Sequence, residues 1–139
     1  MSSNEVSSCA AEIMALKEIY AAINRNDVSA ALTFFHADIE RIEPEGFPAA
    51  GIVRGLKEME AHISQGRGTW TEGSCEPEQF ICAGGKVVVF VHVRVRLKNE
   101  PEWIDAHIAD GFTFRDGKVN LMRTFVEREQ ALQWVSAGS

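Results

Sequence analysis

The sequence lacks the cysteine and histidine patterns that mark disulfide frameworks and metal sites. Its three cysteines, Cys9, Cys75 and Cys82, are an odd number without a C-x-x-C spacing, which is typical of a reduced, cytoplasmic protein. The four histidines form neither an H-x-x-x-H nor an H-E-x-x-H arrangement. We therefore predict free thiols, a cytoplasmic location, and no metal or other cofactor.

Long apolar runs and an excess of positive charge are also absent. No run is long enough to span a bilayer, and residues 1–5 lack the basic and apolar regions of a signal peptide. The net charge of −6 argues against a nucleic-acid-binding surface. With 139 residues, 45% of them hydrophobic, the chain is long enough for one well-packed domain. We assign residues 1–10 to a disordered N-terminus and residues 11–139 to that domain.

The hydrophobic pattern between residues 87 and 126 predicts three long antiparallel strands. Valines occupy every second position of the first strand, which indicates a sheet with two different faces. The short break after this strand predicts that His92 pairs with His107 and Arg94 with Asp105. Directly paired side chains lie on the same face, so these four share the face opposite the valines.

The rest of the chain alternates between helical and strand patterns. Periodicity and capping residues predict helices over 11–24, 28–35, 54–65 and 127–135, strands over 39–43 and 69–82 (the latter bulged near Gly73 or Pro77), and a loop over 44–53. Helices followed by a run of antiparallel strands predict an α+β domain. The three N-terminal helices are expected to cover the valine face of a curved sheet.

Asp110 is out of place on the valine face, where its neighbours are hydrophobic. A lone carboxylate on a core face is costly unless it is hydrogen-bonded or protonated. Two turns are compatible with Asp116-Gly117. A two-residue turn places Arg123 beside Asp110, whereas a three-residue turn with a glycine bulge places Met122 opposite it. Asp110 is therefore either a structural, charge-paired side chain or a carboxyl in a pocket.

An apolar cavity between the helices and the valine face is expected to surround this carboxyl. Such a cavity suits a mostly hydrophobic small ligand. The residues expected to line it are Leu16, Ile19, Leu56, Met59, Ile63, Val89, Val91, Ile108, Phe112, Met122 and Thr124.

Several short stretches occur in a recognisable order along the chain. They are Asn26-Asp27 between two helices, Phe34 to Asp38, Glu43-Pro44 after a short strand, residues 51–55 before a helix, and residues 110–119 in a late hairpin. Together they resemble the nuclear transport factor 2-like superfamily, which includes SnoaL-like and ketosteroid isomerase-like proteins. The resemblance implies a cone-shaped, cystatin-like α+β barrel with a strongly curved, mainly antiparallel sheet.

The resemblance also implies roles for individual side chains. Glu43 falls where ketosteroid isomerases place their proton-shuttling Asp, and Asp110 falls where they keep a carboxylic acid that donates to the substrate oxyanion. Their oxyanion tyrosine aligns with Ile19, so the neighbouring Tyr20 either reaches the pocket or packs with its hydroxyl at the rim. Burial is expected to raise the pKa of both carboxyls. The Asp-Arg-Asp arrangement of limonene epoxide hydrolases is not evident.

The opposite face of the sheet carries a mixed polar and aromatic patch. Its members are Phe90, His92, Arg94, Trp103, Asp105 and His107. In proteins of the resembling superfamily this face commonly forms a homodimer interface, so the expected partners are a second copy of the chain and a small apolar molecule. No nucleophilic Ser or Cys accompanies the histidines, which argues against a catalytic His-Asp pair there.

Two functions follow from these expectations. The first is a cofactor-independent isomerase, cyclase or hydratase-type lyase with Glu43 as general base, Asp110 as acid or oxyanion donor and Tyr20 in support. The second is a non-catalytic small-ligand-binding or dimeric adaptor module. The second function predicts that Asp110 is engaged structurally and that the cavity is narrow or filled.

Overall fold

One six-stranded sheet organises the chain, whose computed structural model describes residues 9–47 and 51–137. Within these ranges the elements are α1 (Ala10–Asn24), α2 (Val28–Leu32), β1 (Phe35–Glu43), β2 (Gly51–Arg54), α3 (Gly55–Arg67), β3 (Trp70–Ala83), β4 (Lys86–Leu97), β5 (Trp103–Arg115), β6 (Lys118–Phe125) and α4 (Arg128–Ser136). Of the predicted N-terminal tail, residues 1–8 lie outside the described residues, and Ala10 already belongs to α1.

The strand order is β2-β1-β6-β5-β4-β3. Only the β1–β6 pair is parallel among the described strands, and the other neighbours are antiparallel. Four helices on a mixed, mainly antiparallel sheet confirm the predicted α+β class and are consistent with the cone fold. No helix in the described part of the chain is both long and apolar enough to cross a membrane.

The register predicted for the central strands is confirmed. His92 pairs with His107, Arg94 with Asp105, and Val89 with Asp110. Strand β3 is irregular at two places, between residues 70 and 72 and between residues 77 and 79. The second is the bulge predicted near Pro77, whereas the first lies before Gly73, which pairs regularly with Val95.

Two boundaries differ from the predictions because β1 pairs on both sides. The helix expected to end at Phe35 ends at Leu32, since Phe35 pairs with Val119 of β6. Residues 51–53, expected in a loop, and Arg54, expected to begin a helix, form strand β2 against the end of β1. These pairings join segments far apart in sequence, and backbone hydrogen bonding across the sheet overrides the local pattern.

The inner face of the sheet packs against α1 and α3. Leu16 and Ile19 of α1 and Met59 of α3 are at most 1% exposed, and they share one hydrophobic cluster with Val89 and Phe112. Burying side chains of this size contributes about 1.5–3 kcal/mol each. This cluster surrounds the candidate site described below.

The outer face has a second, smaller core beneath α4. Ala131 and Val135 of the helix cluster with Val88, Phe90 and Phe125 of the sheet. A Cβ on Gly111 would lie 2.6 Å from the ring of Trp134, so the glycine allows the indole to lie directly on β5. The C-terminal helix therefore covers part of the outer face, which was predicted to form a homodimer interface.

Two of the three cysteines are paired, in contrast to the expected free thiols. Cys9 and Cys82 form a disulfide that ties the start of α1 to the end of β3. Cys75 is a free thiol, and burial raises its pKa to about 12. No spacing motif indicated this pair, because the cysteine count is odd and the two partners are separated by 73 residues.

Candidate active site

Tyr20 and Asp110 meet in the apolar core between α1 and the sheet. The Tyr20 hydroxyl donates a hydrogen bond of 2.5 Å to Asp110 Oδ2. Both residues are buried, with 4% and 3% of their surface exposed. Of the two positions predicted for Tyr20, the structure adopts the one that reaches the pocket carboxyl.

Thr124 forms a hydrogen bond with the other carboxylate oxygen of Asp110. Its hydroxyl donates to Asp110 Oδ1 at 2.6 Å, because β6 pairs Thr124 directly with Asp110. Of the two turns left open by the sequence, the structure has the two-residue type, with Arg115 opposite Lys118. A bulge at Asn120 then shifts the register by one residue, so neither Arg123 nor Met122 faces Asp110.

Arg41 of β1 joins this inner pair to Glu43. Its Nη2 atom donates to Thr124 Oγ1 at 2.8 Å and lies 3.0 Å from Glu43 Oε2, and its Nη1 donates to the carbonyl of Ile42 at 2.8 Å. Arg41 is 7% exposed, and a buried guanidinium requires such partners. The sequence analysis missed it, although alternation with the buried Ile39 places both Arg41 and Glu43 on the inner face.

His62 of α3 completes the group at its outer end. Its Nε2 lies 2.9 Å from Glu43 Oε2, and the two side chains are 16% and 12% exposed. His62 was also missed, and its position directly before the inward-facing Ile63 was the signal for it. The polar path therefore runs Tyr20, Asp110, Thr124, Arg41, Glu43, His62, and we call it the inner path.

The protonation of the inner path differs from the expectation at Glu43. Burial by itself raises the pKa of this carboxyl, but the hydrogen bond from His62 and the positive charge of Arg41 outweigh it, so the pKa lies below its usual range. Glu43 is therefore ionised at neutral pH. Burial, together with the neighbouring Asp110 carboxylate, holds the pKa of Tyr20 well above its usual range, so Tyr20 keeps its proton.

Most of the predicted lining residues surround the inner path. Those in the inner cluster are Leu16, Ile19, Met59, Ile63, Val89, Val91, Phe112 and Met122, with Ile108 packed against them. Leu56 is the exception: it is 38% exposed, because α3 begins at Gly55 and its first turn lies at the surface. A cavity of about 170 Å³ lies instead near Phe90 and His107 on the outer face, and one of about 220 Å³ lies beside Cys9 and Cys82.

The predicted outer patch is partly covered within the chain. Phe90 is 7% exposed, packs under α4 and has the Arg128 guanidinium 3.9 Å above its ring. It therefore presents little surface to a partner. The side chains of the remaining members of the patch, His92, Arg94, Trp103, Asp105 and His107, are partly or largely exposed.

Comparisons with known proteins agree with this architecture. The sequence profile of the SnoaL-like domain matches residues 16–122, more than half of the chain. No curated protein matches the sequence. An NTF2-like protein from Burkholderia xenovorans LB400 has a similar structure, with 27% identity, a TM-score of 0.71, and coverage of 91% of this chain and 96% of that one.

Two further solved structures share the fold at lower identity. TerC, co-crystallized with polyporic acid, is 23% identical with a TM-score of 0.75, over 90% of this chain and 97% of that one. An LEH-like epoxide hydrolase from M. tuberculosis is 15% identical with a TM-score of 0.70, over 91% and 90%. At this identity the similarity shows the fold alone.

Proposed function

The chain belongs to the SnoaL-like domain family, and on this basis we propose that it is a cofactor-independent enzyme that moves a proton on a mostly apolar small molecule. The reaction is of the isomerase, cyclase or hydratase type. The observation that carries the proposal is the inner path, which links two carboxyls by hydrogen bonds through an apolar core. A buried network of polar side chains of this size is typical of a site for proton transfer.

Glu43 is the base that takes the proton, and His62 supports it. A general base must be deprotonated at the working pH, and Arg41 and His62 keep Glu43 in that state. His62 donates to the Glu43 carboxylate over their 2.9 Å contact and holds it in position. Both side chains lie at the outer end of the path, where a substrate and water have access.

Tyr20 and Asp110 form the inner end and face the developing negative charge. Tyr20 retains its proton because its pKa is raised, and it donates that proton to Asp110 Oδ2 over 2.5 Å in a buried site. For this role the Tyr20 hydroxyl turns from Asp110 Oδ2 to the substrate oxygen when a substrate binds. The Arg41 guanidinium, fixed by Thr124 and Glu43, adds positive charge between the two ends.

The surroundings favour an apolar substrate. The side chains around the path belong to the hydrophobic cluster of α1, α3 and the sheet, and such surfaces bind mostly hydrophobic molecules. The similarity to TerC, which was crystallized with polyporic acid, and to an epoxide hydrolase supports a small-molecule ligand in this fold. Ketones with acidic α-protons and epoxides are therefore the first substrates to screen.

The proposal is tested by proton exchange, which needs no knowledge of the final product. The protein is incubated in D2O with a panel of apolar ketones without added cofactor, and NMR follows deuterium entering the carbon next to the carbonyl. We expect catalysed exchange for at least one ketone. Glu43→Gln should slow it by at least about a hundredfold, because it removes the base.

Glu40→Gln is the matched control for this experiment. Glu40 lies on the same strand but pairs with Arg54 at the surface, 3.1 Å away and 44% exposed. This variant should retain the exchange rate of the natural protein. If Glu43→Gln exchanges as fast as Glu40→Gln while its Tm is unchanged, Glu43 is not the base.

One observation favours the second function, a non-catalytic binding module. Both oxygens of Asp110 already accept hydrogen bonds within the chain, from Tyr20 and Thr124, and the residues around them are tightly buried. This function predicts saturable binding of an apolar compound, seen by ligand-observed NMR, without deuterium exchange in any member of the panel.

The homodimer through the outer face stays a prediction. Trp103 and Ile104 at the start of β5 are 39% and 43% exposed, and exposed aromatic and aliphatic side chains are common in interfaces. Sedimentation of the natural chain and of Trp103→Glu tests it, since the charge should shift a dimer toward monomer. An unchanged sedimentation coefficient would exclude this face.

A further inference from the structure

Four metal-ligating side chains converge on the outer face of the sheet. His92 of β4 stands directly opposite His107 of β5, and their rings stack in parallel with centroids 4.5 Å apart. Asp105 lies two residues before His107, on the same face, and its Oδ1 is 2.7 Å from His92 Nε2. Glu78 of β3 reaches both rings, with its oxygens 3.9 Å from His92 Nδ1 and 3.6 Å from His107 Nδ1.

The position of Glu78 results from an irregularity of the backbone. Strand β3 shifts register between Pro77 and Gln79, so Glu78 is the extra residue of a bulge. Bulges redirect a side chain relative to the regular strand. Here the redirected carboxylate lies beside His92 of the adjacent strand β4 and His107 of β5, the next strand beyond it.

We propose that His92, Asp105 and His107, assisted by Glu78, bind a divalent transition-metal ion, with Zn²⁺ as the best fit. Imidazole and carboxylate together are the ligands that zinc uses in proteins. The two carboxylates carry two negative charges, and Arg94, 3.8 Å from Asp105 Oδ2, offsets only one. The cluster is therefore negative when the histidines are neutral, the state that favours a divalent cation.

Binding requires the imidazoles to rotate, because the nitrogen lone pairs of two parallel stacked rings do not point at a common centre. One ligand atom from each of His92, Asp105 and His107 lies within 4.8 Å of the other two. Ligands of a tetrahedral zinc at about 2.0–2.1 Å are separated by about 3.4 Å. Rotation of exposed side chains covers this difference, and the ion then replaces the proton shared by His92 and Asp105.

An open cavity adjoins the proposed ion. Glu78 and His107 both line the cavity of about 170 Å³ on this face, together with Phe90 and Arg128. A zinc held by three protein ligands keeps a fourth position for water or another small ligand. The cavity leaves that position accessible, so the proposed site is of the open kind rather than a closed structural one.

The experiment is zinc titration of the untagged protein by calorimetry at neutral pH. We expect one Zn²⁺ per chain, and NMR of the imidazoles should show shifts of His92 and His107 at the same molar ratio. His107→Gln and Asp105→Asn should each weaken the affinity at least about tenfold, because even second-sphere changes at metal sites cost this much. Both variants should fold normally, since their side chains are more than half exposed.

His36→Gln is the matched control. His36 also lies between two carboxylates, with Asp38 at 3.9 Å and Asp116 at 3.7 Å, but among the described residues these three do not form a group whose ligand atoms all lie within 4.8 Å of one another. Its zinc affinity should equal that of the natural chain. Absence of saturable binding, or equal affinity in His107→Gln and His36→Gln, would overturn the proposal.

Discussion

The chain contains two histidine–carboxylate pairs of nearly the same geometry, one on each side of the sheet. His62 and Glu43 of the inner path are 2.9 Å apart, and their side chains are 16% and 12% exposed. His92 and Asp105 on the outer face are 2.7 Å apart, and theirs are 30% and 55% exposed. In both pairs the hydrogen bond from the histidine contributes to lowering the pKa of the carboxyl.

The difference between the pairs lies in what surrounds them. The inner pair continues through Arg41 and Thr124 to Asp110, so removing one member leaves buried polar atoms without partners. The outer pair faces solvent, where water replaces a lost partner and salt screens the charges. Burial therefore makes the inner pair important for stability and leaves the outer pair free to exchange partners.

The largest effect is expected from Arg41→Met. This change removes the positive charge that faces Glu43 and the donor that faces Thr124, and breaking a buried pair in this way costs about 3–5 kcal/mol. Urea unfolding measures the loss. Arg94→Met is the outer counterpart: its guanidinium lies 4.1 Å from the Trp103 ring at the surface. Similar losses for the two variants would show that the inner path does not depend on Arg41.

Tyr20→Phe should have the next largest effect. The change removes the hydroxyl that donates to the Asp110 carboxylate, and a buried hydrogen bond to a charged group contributes about 1.5–3 kcal/mol. The folded-state pKa of Tyr20 is raised above 10.0, so this stability is fully present below pH 10 and is lost as the pH rises through the folded pKa. The difference in the free energy of unfolding between the natural chain and Tyr20→Phe should therefore narrow only when the urea titrations are run at strongly alkaline pH.

Cys75 also titrates in the alkaline range. Its pKa is raised from 9.0 to about 12, so it contributes an alkaline loss of stability in both proteins. If the difference in unfolding free energy between the natural chain and Tyr20→Phe stays constant from pH 7 to strongly alkaline pH, the hydrogen bond from Tyr20 to Asp110 does not contribute the expected stability.

Local pattern was sufficient to predict the sheet around β4 and β5. Strict alternation and a short connection allow one register, so the pairing of His92 with His107 was predicted correctly. Strand β2 was missed because four residues carry little periodicity. The length of β1 was missed because its parallel pairing with β6 joins distant segments.

The candidate site was predictable at its carboxyls but not in its connections. Asp110 stood out as a charge on an apolar face, and Tyr20 lay at the edge of the helical stripe. Thr124 faces Asp110 only because of the bulge at Asn120, which no residue pattern specified. Alternation with Ile39 and the position before Ile63 were weak signals for Arg41 and His62. Their partners were not predictable, since the contacts of a polar side chain are set only when the strands and α3 are assembled.

A smaller effect is expected from Glu43→Gln, with a characteristic pH dependence. The folded-state pKa of Glu43 lies below its usual 4.5, so the carboxylate stabilises the fold above about pH 4.5 and this contribution is lost as the pH falls through the folded pKa. We expect a loss of about 1 kcal/mol at pH 7, less than for Arg41→Met, because glutamine keeps the shape and an acceptor oxygen of Glu43 and only the charge is lost. Urea titrations at a series of pH values should show the unfolding free energies of the natural chain and Glu43→Gln converging below pH 4.

Glu40→Gln again provides the control for this measurement. Its ion pair with Arg54 is exposed, so its stability should follow that of the natural chain at every pH. If Glu43→Gln is more stable than the natural chain at pH 7, the carboxylate is destabilising in the fold. This result would be typical of a site selected for chemistry at the expense of stability.

The smallest effect is expected from Asp105→Asn in metal-free buffer. The hydrogen bond from His92 lowers the pKa of Asp105, but the pair lies in solvent, so its loss should leave the Tm almost unchanged. Added Zn²⁺ separates the two roles of the face: the natural chain should gain Tm through binding to the folded state, whereas Asp105→Asn should gain much less. A large loss of Tm without metal would make Asp105 structural. The outer pair would then stabilise the fold as the inner pair does, and the two pairs would share more than their geometry.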